Sequence, residues 1–218
     1  MDTVIIGIDQ SLSNTGVSVI KRGEKPLYFS IQTGQMRGVV RLDYITREII
    51  KIISDCCKDN VGSNIVICRE DYAYGAKGDV FNLGELGGCI DLVIYNSVNR
   101  NSDSRVKYYK IPPNSWKLLV LGSGQVKKDT QYLLTVYDKT GEKFDNDNIA
   151  DSYMIALAID KMIENNTSDM TIKCKFGMIS SSIRKKNKIT ERNIGSIDNN
   201  VFNRLVNDTL KEYLIFES

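Results

Sequence analysis

Hydrophobic and polar positions along the chain form short apolar runs and longer periodic segments. The short runs are rich in branched residues and are bounded by Gly, Pro, Asn or Asp, which is typical of strands. Strands are predicted at Val4–Ile8, Gly16–Lys21, Leu27–Thr33, Asn64–Cys68 and Val106–Ile111. The short polar turn KRGEKP makes the second and third of these strands antiparallel neighbours.

The longer segments carry apolar residues at helical spacing. Helices are predicted at Val39–Cys57, Val80–Tyr95, the segment SWKLLVL capped by Asn114, about Asp129–Asp138, and Asn148–Ile163. A strand, a helix and a second strand in succession imply a parallel crossover. The pattern therefore predicts an α/β fold with a mixed five-stranded sheet flanked by helices.

After about Asn165 the composition changes. The segment NNTSDM has linker character, and the polar basic tract SSSIRKKNKITERN follows it. Apolar residues between Val201 and Phe216 then recur at the spacing of an amphipathic helix. We expect one globular domain at 1–165 and a basic, helical C-terminal extension at 166–218.

Composition and charge place the chain among globular proteins. It has 218 residues, of which 42% are hydrophobic and 26% charged, with a net charge of +2. That net charge is too small to indicate nucleic acid binding, so the distribution of charge matters more. The N-terminus lacks the features of a signal peptide, and no apolar run approaches the ~20 residues that cross a bilayer.

Cysteine and histidine usage narrows the chemistry. The five cysteines form no CxxC pair, which favours free thiols in a reducing compartment such as the cytoplasm, including that of a host cell for a phage or viral protein. The chain has no histidine, which argues against zinc and against Ser/His or Cys/His catalysis. Carboxylates, lysines and a metal ion remain as the candidate chemistry.

Acidic residues recur at the ends of predicted elements. Asp9 ends the first strand, and Glu70 follows the strand Asn64–Cys68 by two residues. If these strands are parallel neighbours, both side chains project from the same sheet edge, where α/β folds bind ligands. Asp147 and Asp151 are four residues apart and share one helix face, which can lie over that edge.

Such a cluster needs a cation. Two like charges ~4 Å apart repel by about 4 kcal/mol at an effective dielectric constant near 20. Oxygen ligands without His or Cys favour Mg²⁺, with Mn²⁺ as a substitute. Two ions ~3.5–4 Å apart can activate water and stabilise the leaving oxygen of a phosphodiester. Taken singly, Asp9 is also explained as a turn residue, Glu70 as a strand end and Asp147 as a helix-dipole residue. Asp151 has no such explanation, because it interrupts an apolar helix.

Five segments, taken together and in order, resemble the RuvC-type Holliday junction resolvases. They are GIDQSLSNTGVSVI, VICREDYAY, NLGELGG, WKLLVLGSGQVKKDTQYLL and NIADSYMIALAI, within residues 3–163. The resemblance implies a ribonuclease H-like fold. It also implies a homodimer that nicks two opposed strands of a four-way DNA junction with divalent metal.

The resemblance assigns metal ligands. It makes Asp9 the first-strand ligand, Glu70 the second and Asp151 the final-helix ligand. The family usually has another acidic residue three positions before Asp151, where this chain has Asn148. We favour Asp147 as the fourth ligand, because its spacing keeps it on the face of Asp151, and Asn148 stays open.

The resemblance also assigns DNA contacts. Lys117 and Lys128 match two basic positions near the scissile phosphate, and Lys127 competes with Lys128. Either Tyr72 or Tyr74 is expected to contact bases at the junction centre, where stacking contributes ~1–3 kcal/mol. A solvated helix face and a packed loop explain the same residues without DNA.

Two further segments carry expectations about partners. The resemblance puts the helix with Gly84, Gly87 and Gly88 at a dimer interface, whereas packing on the sheet is the simpler explanation. The basic tract is expected to contact DNA phosphates, and a solvated linker is its alternative. Its DNA-contact candidates are Arg184, Lys185, Lys186 and Lys188.

Other functions stay open at this stage. The pattern of Asp, small turn and second strand also begins sugar-kinase/Hsp70-like ATPases, but the chain shows no second phosphate loop. A catalytically silent DNA-binding scaffold and a nuclease for other branched DNA or RNA–DNA hybrids are further alternatives.

Overall fold

The computed structural model describes residues 2–71, 80–101 and 105–167. Along these residues the chain forms three strands, a helix, a strand, a helix, a fifth strand and then three helices. The strands are β1 (Thr3–Asp9), β2 (Asn14–Lys21), β3 (Leu27–Gln32), β4 (Asn64–Glu70) and β5 (Val106–Ile111). The helices are α1 (Gly38–Asp59), α2 (Val80–Asn101), α3 (Pro113–Leu121), α4 (Tyr132–Thr140) and α5 (Asp147–Thr167). None of these helices is long and apolar enough to cross a membrane.

The strands form one mixed sheet in the order β3-β2-β1-β4-β5. The pairs β1–β2 and β2–β3 are antiparallel, and β1–β4 and β4–β5 are parallel. The predicted mixed five-stranded sheet is therefore confirmed, as is the parallel neighbourhood of the first strand and the strand that follows α1. This neighbourhood brings the carboxyl ends of β1 and β4 together.

Each face of the sheet has its own core. Ile6, Ile8 and Ile67 belong to the core on the side of α1 and α2. Ile5 and Cys68 belong to the core with α3, α4 and α5. Because successive strand residues face opposite sides, Asp9 and Glu70 lie on the α5 side.

Helix α5 lies unusually close to the sheet. A Cβ on Gly7 would overlap the carbonyl oxygen of Ser152, and one on Gly16 would overlap the carbonyl oxygen of Asn148. Ser18 and Ser152 share a buried hydrogen bond of 2.6 Å between their hydroxyls. Glycine and small polar residues thus let the acidic end of α5 approach the ends of β1 and β2.

The helix starts depart from the expected ones. Asn114 does not cap α3, which begins at Pro113 with Pro112 as its N-cap residue. The fixed φ of proline suits the first helical position, so Pro113 begins the helix one residue before Asn114. Helix α4 begins at Tyr132 and not near Asp129, whose carboxylate accepts the Gln131 backbone N–H at 2.9 Å in the preceding turn.

The boundary at residue 165 and the extension at 166–218 stay predictions. Helix α5 runs to Thr167, and the later residues, including the predicted helix at 201–216, lie outside the described residues.

Candidate metal centre

Three carboxylates meet where β1, β4 and α5 converge. One oxygen each of Asp9, Glu70 and Asp151 lies within 4.8 Å of the other two. Asp9 and Asp151 are buried, and Glu70 is partly exposed. Asp9 and Glu70 are the last residues of their strands, and Asp151 stands one turn into α5. We call these three residues the acidic cluster.

Each member outside β1 has a fixed hydrogen-bond partner. Asp151 accepts the Tyr132 hydroxyl on Oδ1 and the Lys128 ammonium on Oδ2, the latter at 2.6 Å. Glu70 Oε2 accepts the Trp116 indole N–H at 3.2 Å. These partners come from α3, α4 and the turn between them, so that segment orients the acidic cluster.

Burial and mutual repulsion dominate the electrostatics of the acidic cluster. Burial, and then the charges of Glu70 and Asp151, hold the pKa of Asp9 well above its ordinary value. Burial and the Asp151 charge raise the pKa of Glu70 to about 7. Burial also raises the pKa of Asp151, against the opposing effects of Lys128 and Tyr132.

Lys128 offsets part of the negative charge of the acidic cluster. Although burial disfavours its charged form, the carboxylates of Asp151 and Asp9 raise its pKa. Its ammonium also lies 3.3 Å from Asp147 Oδ2. Asp147 thus stands beside the acidic cluster and is joined to it through Lys128.

Asn148 points elsewhere. Its side-chain amide donates to the Asn14 backbone carbonyl at 2.8 Å, which ties the start of α5 to β2. Of the two candidates for a fourth ligand, Asp147 is therefore the one with a contact in the site.

The remaining basic candidates differ in position. Lys117 lies over the Trp116 ring, 5.2 Å from its centroid, and donates to the Val126 carbonyl at 3.5 Å. Its charge lowers the pKa of Glu70, although less than Lys128 does. Lys127 is exposed. Lys128, and not Lys127, makes the ion pairs with Asp147 and Asp151.

Several predicted DNA contacts lie outside the described residues. These are Tyr72, Tyr74, Arg184, Lys185, Lys186 and Lys188. Their roles stay predictions.

Sequence reasoning missed Trp116 and Tyr132. Trp116 is buried beside Lys117, and Tyr132 is the buried first residue of α4. Each is an aromatic residue with a polar N–H or O–H group, and each lies in the first turn of a short helix. The polar group of such a residue needs a hydrogen-bond partner when the residue is buried. That requirement was the available signal.

The donor set fits a hard divalent cation. It consists of carboxylate oxygens from three elements, and it is buried enough that its charges repel strongly. Asp9, Glu70 and Asp151 could hold such an ion, with Asp147 at its margin.

Comparison with solved structures gives the same architecture. The Thermus thermophilus RuvC structure matches with a TM-score of 0.56 and 19% identity, over 75% of this chain and 97% of that chain. T. thermophilus RuvC in complex with Holliday junction substrate matches with a TM-score of 0.54 and 15% identity, over 76% and 97%. The predicted structural resemblance and the ribonuclease H-like fold are confirmed. No protein-family model and no curated protein matches the chain.

Proposed function

We propose that this chain is a divalent-metal-dependent endonuclease that resolves four-way DNA junctions by paired nicks. The acidic cluster is the observation that carries the proposal, because it brings two buried carboxylates and one partly exposed carboxylate together at the sheet edge where α/β folds bind ligands. Further support comes from the shared fold of T. thermophilus RuvC, which is known in complex with a Holliday junction substrate.

The proposed reaction is phosphodiester hydrolysis. When bound, Mg²⁺ or Mn²⁺, proposed as two ions per site, supplies water activation and stabilises charge on the leaving oxygen. Asp9, Glu70 and Asp151 hold the metal, and Asp147 is the proposed fourth ligand. Trp116 and Tyr132 keep two of the carboxylates oriented through their hydrogen bonds.

The two lysines act on the phosphate in this proposal. In the metal-free protein the Lys128 ammonium forms ion pairs with Asp151 and Asp147. If a bound cation balanced the charge of these carboxylates instead, the ammonium would be available to a phosphate oxygen. Lys117, held over the Trp116 ring, adds a second positive charge beside Glu70. Both lysines thereby favour a polyanionic substrate.

A homodimer would place two such sites on one junction. Helix α2 exposes residues at alternating intervals of four and three, which we call the α2 stripe: Phe81, Glu85, Gly88, Leu92 and Tyr95. Phe81 is 90% exposed, Leu92 59% and Tyr95 44%, while a Cβ on Gly88 would meet nothing within 4 Å. Large apolar groups around a glycine suit close helix packing against a second copy, and a two-fold dimer matches the two-fold symmetry of a junction.

The compartment proposed for this activity is the reducing cytoplasm. Within the described residues Cys56, Cys68 and Cys89 are free thiols. Free thiols persist where disulfides are kept reduced.

A cleavage assay tests the proposal. The protein is incubated with a synthetic four-way junction, a linear duplex and an RNA–DNA hybrid, each with and without Mg²⁺, and the nicks are mapped. We expect symmetric nicks in two opposed strands of the junction, only with Mg²⁺, and none from Asp151→Asn. Preferential cutting of the hybrid would favour the other nuclease alternative. ATP turnover without cleavage would favour the ATPase.

A further inference from the structure

A buried arginine precedes Glu70 in β4. Arg69 is fully buried, and alternation along the strand puts it on the α2 side with Ile65 and Ile67, while Glu70 faces α5. One strand end therefore carries a member of the acidic cluster on one face of the sheet and a buried guanidinium on the other.

Residues of two other elements hold this guanidinium. Arg69 Nη2 and Nε donate to Oδ1 of Asp91 on α2 at 2.9 and 3.2 Å. Nε also donates to the Tyr108 hydroxyl on β5 at 2.9 Å, and that hydroxyl donates to Asp91 Oδ1 at 2.6 Å. Lys110 lies 3.3 Å from the other Asp91 oxygen. The position of the guanidinium is thus fixed by α2 and β5 together.

The third guanidinium nitrogen contacts the backbone of Glu70, a member of the acidic cluster. Arg69 Nη1 donates to the carbonyl oxygen of Glu70 at 2.9 Å. Glu70 ends β4, so its carbonyl requires a partner there. The next residue, Asp71, is held by its N–H on the Ile111 carbonyl at 2.9 Å. The Glu70 carbonyl group is therefore tied to the buried ion network. This group is bonded to the Cα from which the Glu70 side chain projects.

Stability alone does not account for such a network. Buried ion pairs are often no more stabilising than apolar residues of similar volume, because desolvation offsets their attraction. Removal of one partner is nevertheless costly, because it leaves an uncompensated buried charge. Partners that orient metal ligands, by contrast, typically change metal affinity about 10–100-fold when they are lost.

We propose that Arg69 is a positioning residue for Glu70, and that Asp91 and Tyr108 set the position of Arg69. This inference rests on the proposed metal-dependent function and gives it a support on the opposite face of the sheet. Helix α2 thereby contributes to metal binding through Asp91, although its own residues lie behind β4.

The fluorescence of Trp116 provides a signal for metal binding at Glu70. Trp116 is the only tryptophan, it is buried, and its indole donates to Glu70. Mn²⁺ bound at Glu70 quenches tryptophan emission because the ion is paramagnetic. Titration of the metal-free protein with Mn²⁺ therefore reports metal affinity at Glu70 without any DNA.

We expect Arg69→Met to raise the Mn²⁺ midpoint about tenfold, the lower end of the range for an orienting partner, because the contact is to the backbone. Asp91→Asn should raise it in the same direction. The double variant should lose no more than Arg69→Met alone, since both changes break one path. If Arg69→Met shows no cooperative thermal transition, Asp91→Asn and the milder Tyr108→Phe decide.

Ile67→Val is the matched control. Ile67 is buried two residues earlier on the same face of the same strand. Its truncation lowers stability without touching the Glu70 carbonyl, so the Mn²⁺ midpoint should not move. A folded arginine or aspartate variant with the wild-type midpoint would overturn the inference, as would an equal shift in Ile67→Val.

Two separate measurements test the positioning role of Arg69 and the proposed resolvase function. A wild-type protein that cuts no junction refutes the resolvase, whatever its response to Mn²⁺. A wild-type protein whose Trp116 emission does not respond to Mn²⁺ refutes the positioning role, whatever it cuts.

Discussion

At the scale of single residues, the acidic cluster combines a chemical capacity with a cost to the metal-free fold. Asp151 has two hydrogen-bond partners, whereas Asp9 is buried among like charges. Such residues are retained where charge is needed for binding and not for folding. Neutral isosteres should therefore separate the two effects.

Asp151→Asn should lower the nicking rate at least about a hundredfold, the scale for loss of a group that stabilises the transition state. Junction binding should largely persist, because the shape is kept. Asp9→Asn and Glu70→Gln should behave alike. Single-turnover cleavage with Mg²⁺ measures the effect, and the exposed Asp138→Asn on α4 is the matched control. Cleavage by Asp151→Asn near the wild-type rate would remove it from the site.

The raised pKa of Glu70 gives a signed pH prediction. Its ordinary value is 4.5 and its value in the fold is about 7. Between these values the native state binds more protons than the unfolded chain, so the free energy of unfolding from this group falls as pH rises from about 4.5 to about 7. Glu70→Gln should stabilise the metal-free protein above pH 7 by an amount on the order of 3 kcal/mol, because each pKa unit between 4.5 and about 7 corresponds to about 1.4 kcal/mol.

Urea unfolding of wild type and Glu70→Gln across this pH range measures the difference. Below about pH 4.5 the two curves should converge. Mg²⁺ should stabilise the wild type more at pH 8 than at pH 5.5, because metal binding requires ionised carboxylates. A wild-type advantage in metal-free buffer at pH 8 would contradict the prediction.

The identity of the fourth ligand is also a question of single residues. Asp147 contacts Lys128 beside the acidic cluster, whereas Asn148 is hydrogen-bonded to the Asn14 carbonyl. Asp147→Asn should therefore slow nicking more than Asn148→Ala. Asn148→Ala should instead lower the free energy of unfolding by about 1 kcal/mol, the scale of one hydrogen bond. The reverse order of single-turnover rates would move the role to Asn148.

At the scale of elements, the antiparallel pair β2–β3 and the parallel pair β1–β4 were predictable, because a short polar turn joins the first pair and a crossover helix precedes β4. The parallel pair brings Asp9 and Glu70 together, and both were named from their positions at strand ends. Trp116 and Tyr132 were not, because their contacts depend on how α3 and α4 pack over the sheet. The Arg69–Asp91 pair joins residues 22 apart in sequence on two different elements, and no local pattern marks it.

The α2 stripe carries the prediction for the dimer. Leu92→Glu should shift the protein to a monomer in sedimentation at micromolar concentration, because it buries a charge at the proposed contact. Leu134→Glu on α4 is the matched control, with 57% exposure against 59% for Leu92. If wild type sediments as a monomer on and off DNA, or if both variants dissociate equally, the stripe is not the interface.

At the scale of the whole molecule, the described residues hold the acidic cluster and both cores before residue 163. The basic tract follows them, and its role is predicted from its sequence alone. Arg184, Lys185, Lys186 and Lys188 lie within five residues on a chain whose net charge is only +2. Each phosphate contact from this tract would add ~0.9 to the slope of log affinity against log salt.

Removing the extension should therefore weaken junction binding while sparing low-salt nicking. A truncation after Thr167 keeps the whole of α5. The salt slope should flatten by about two to four units, if that many charges engage phosphates. A full-length variant with the four basic residues changed to Gln should match it, which separates charge from the amphipathic segment at 201–216. Thermal unfolding must first show that both variants are folded. An unchanged salt slope in the charge variant would then reject the tract as a DNA contact. A loss of junction affinity in the truncation alone would assign the binding to the amphipathic segment.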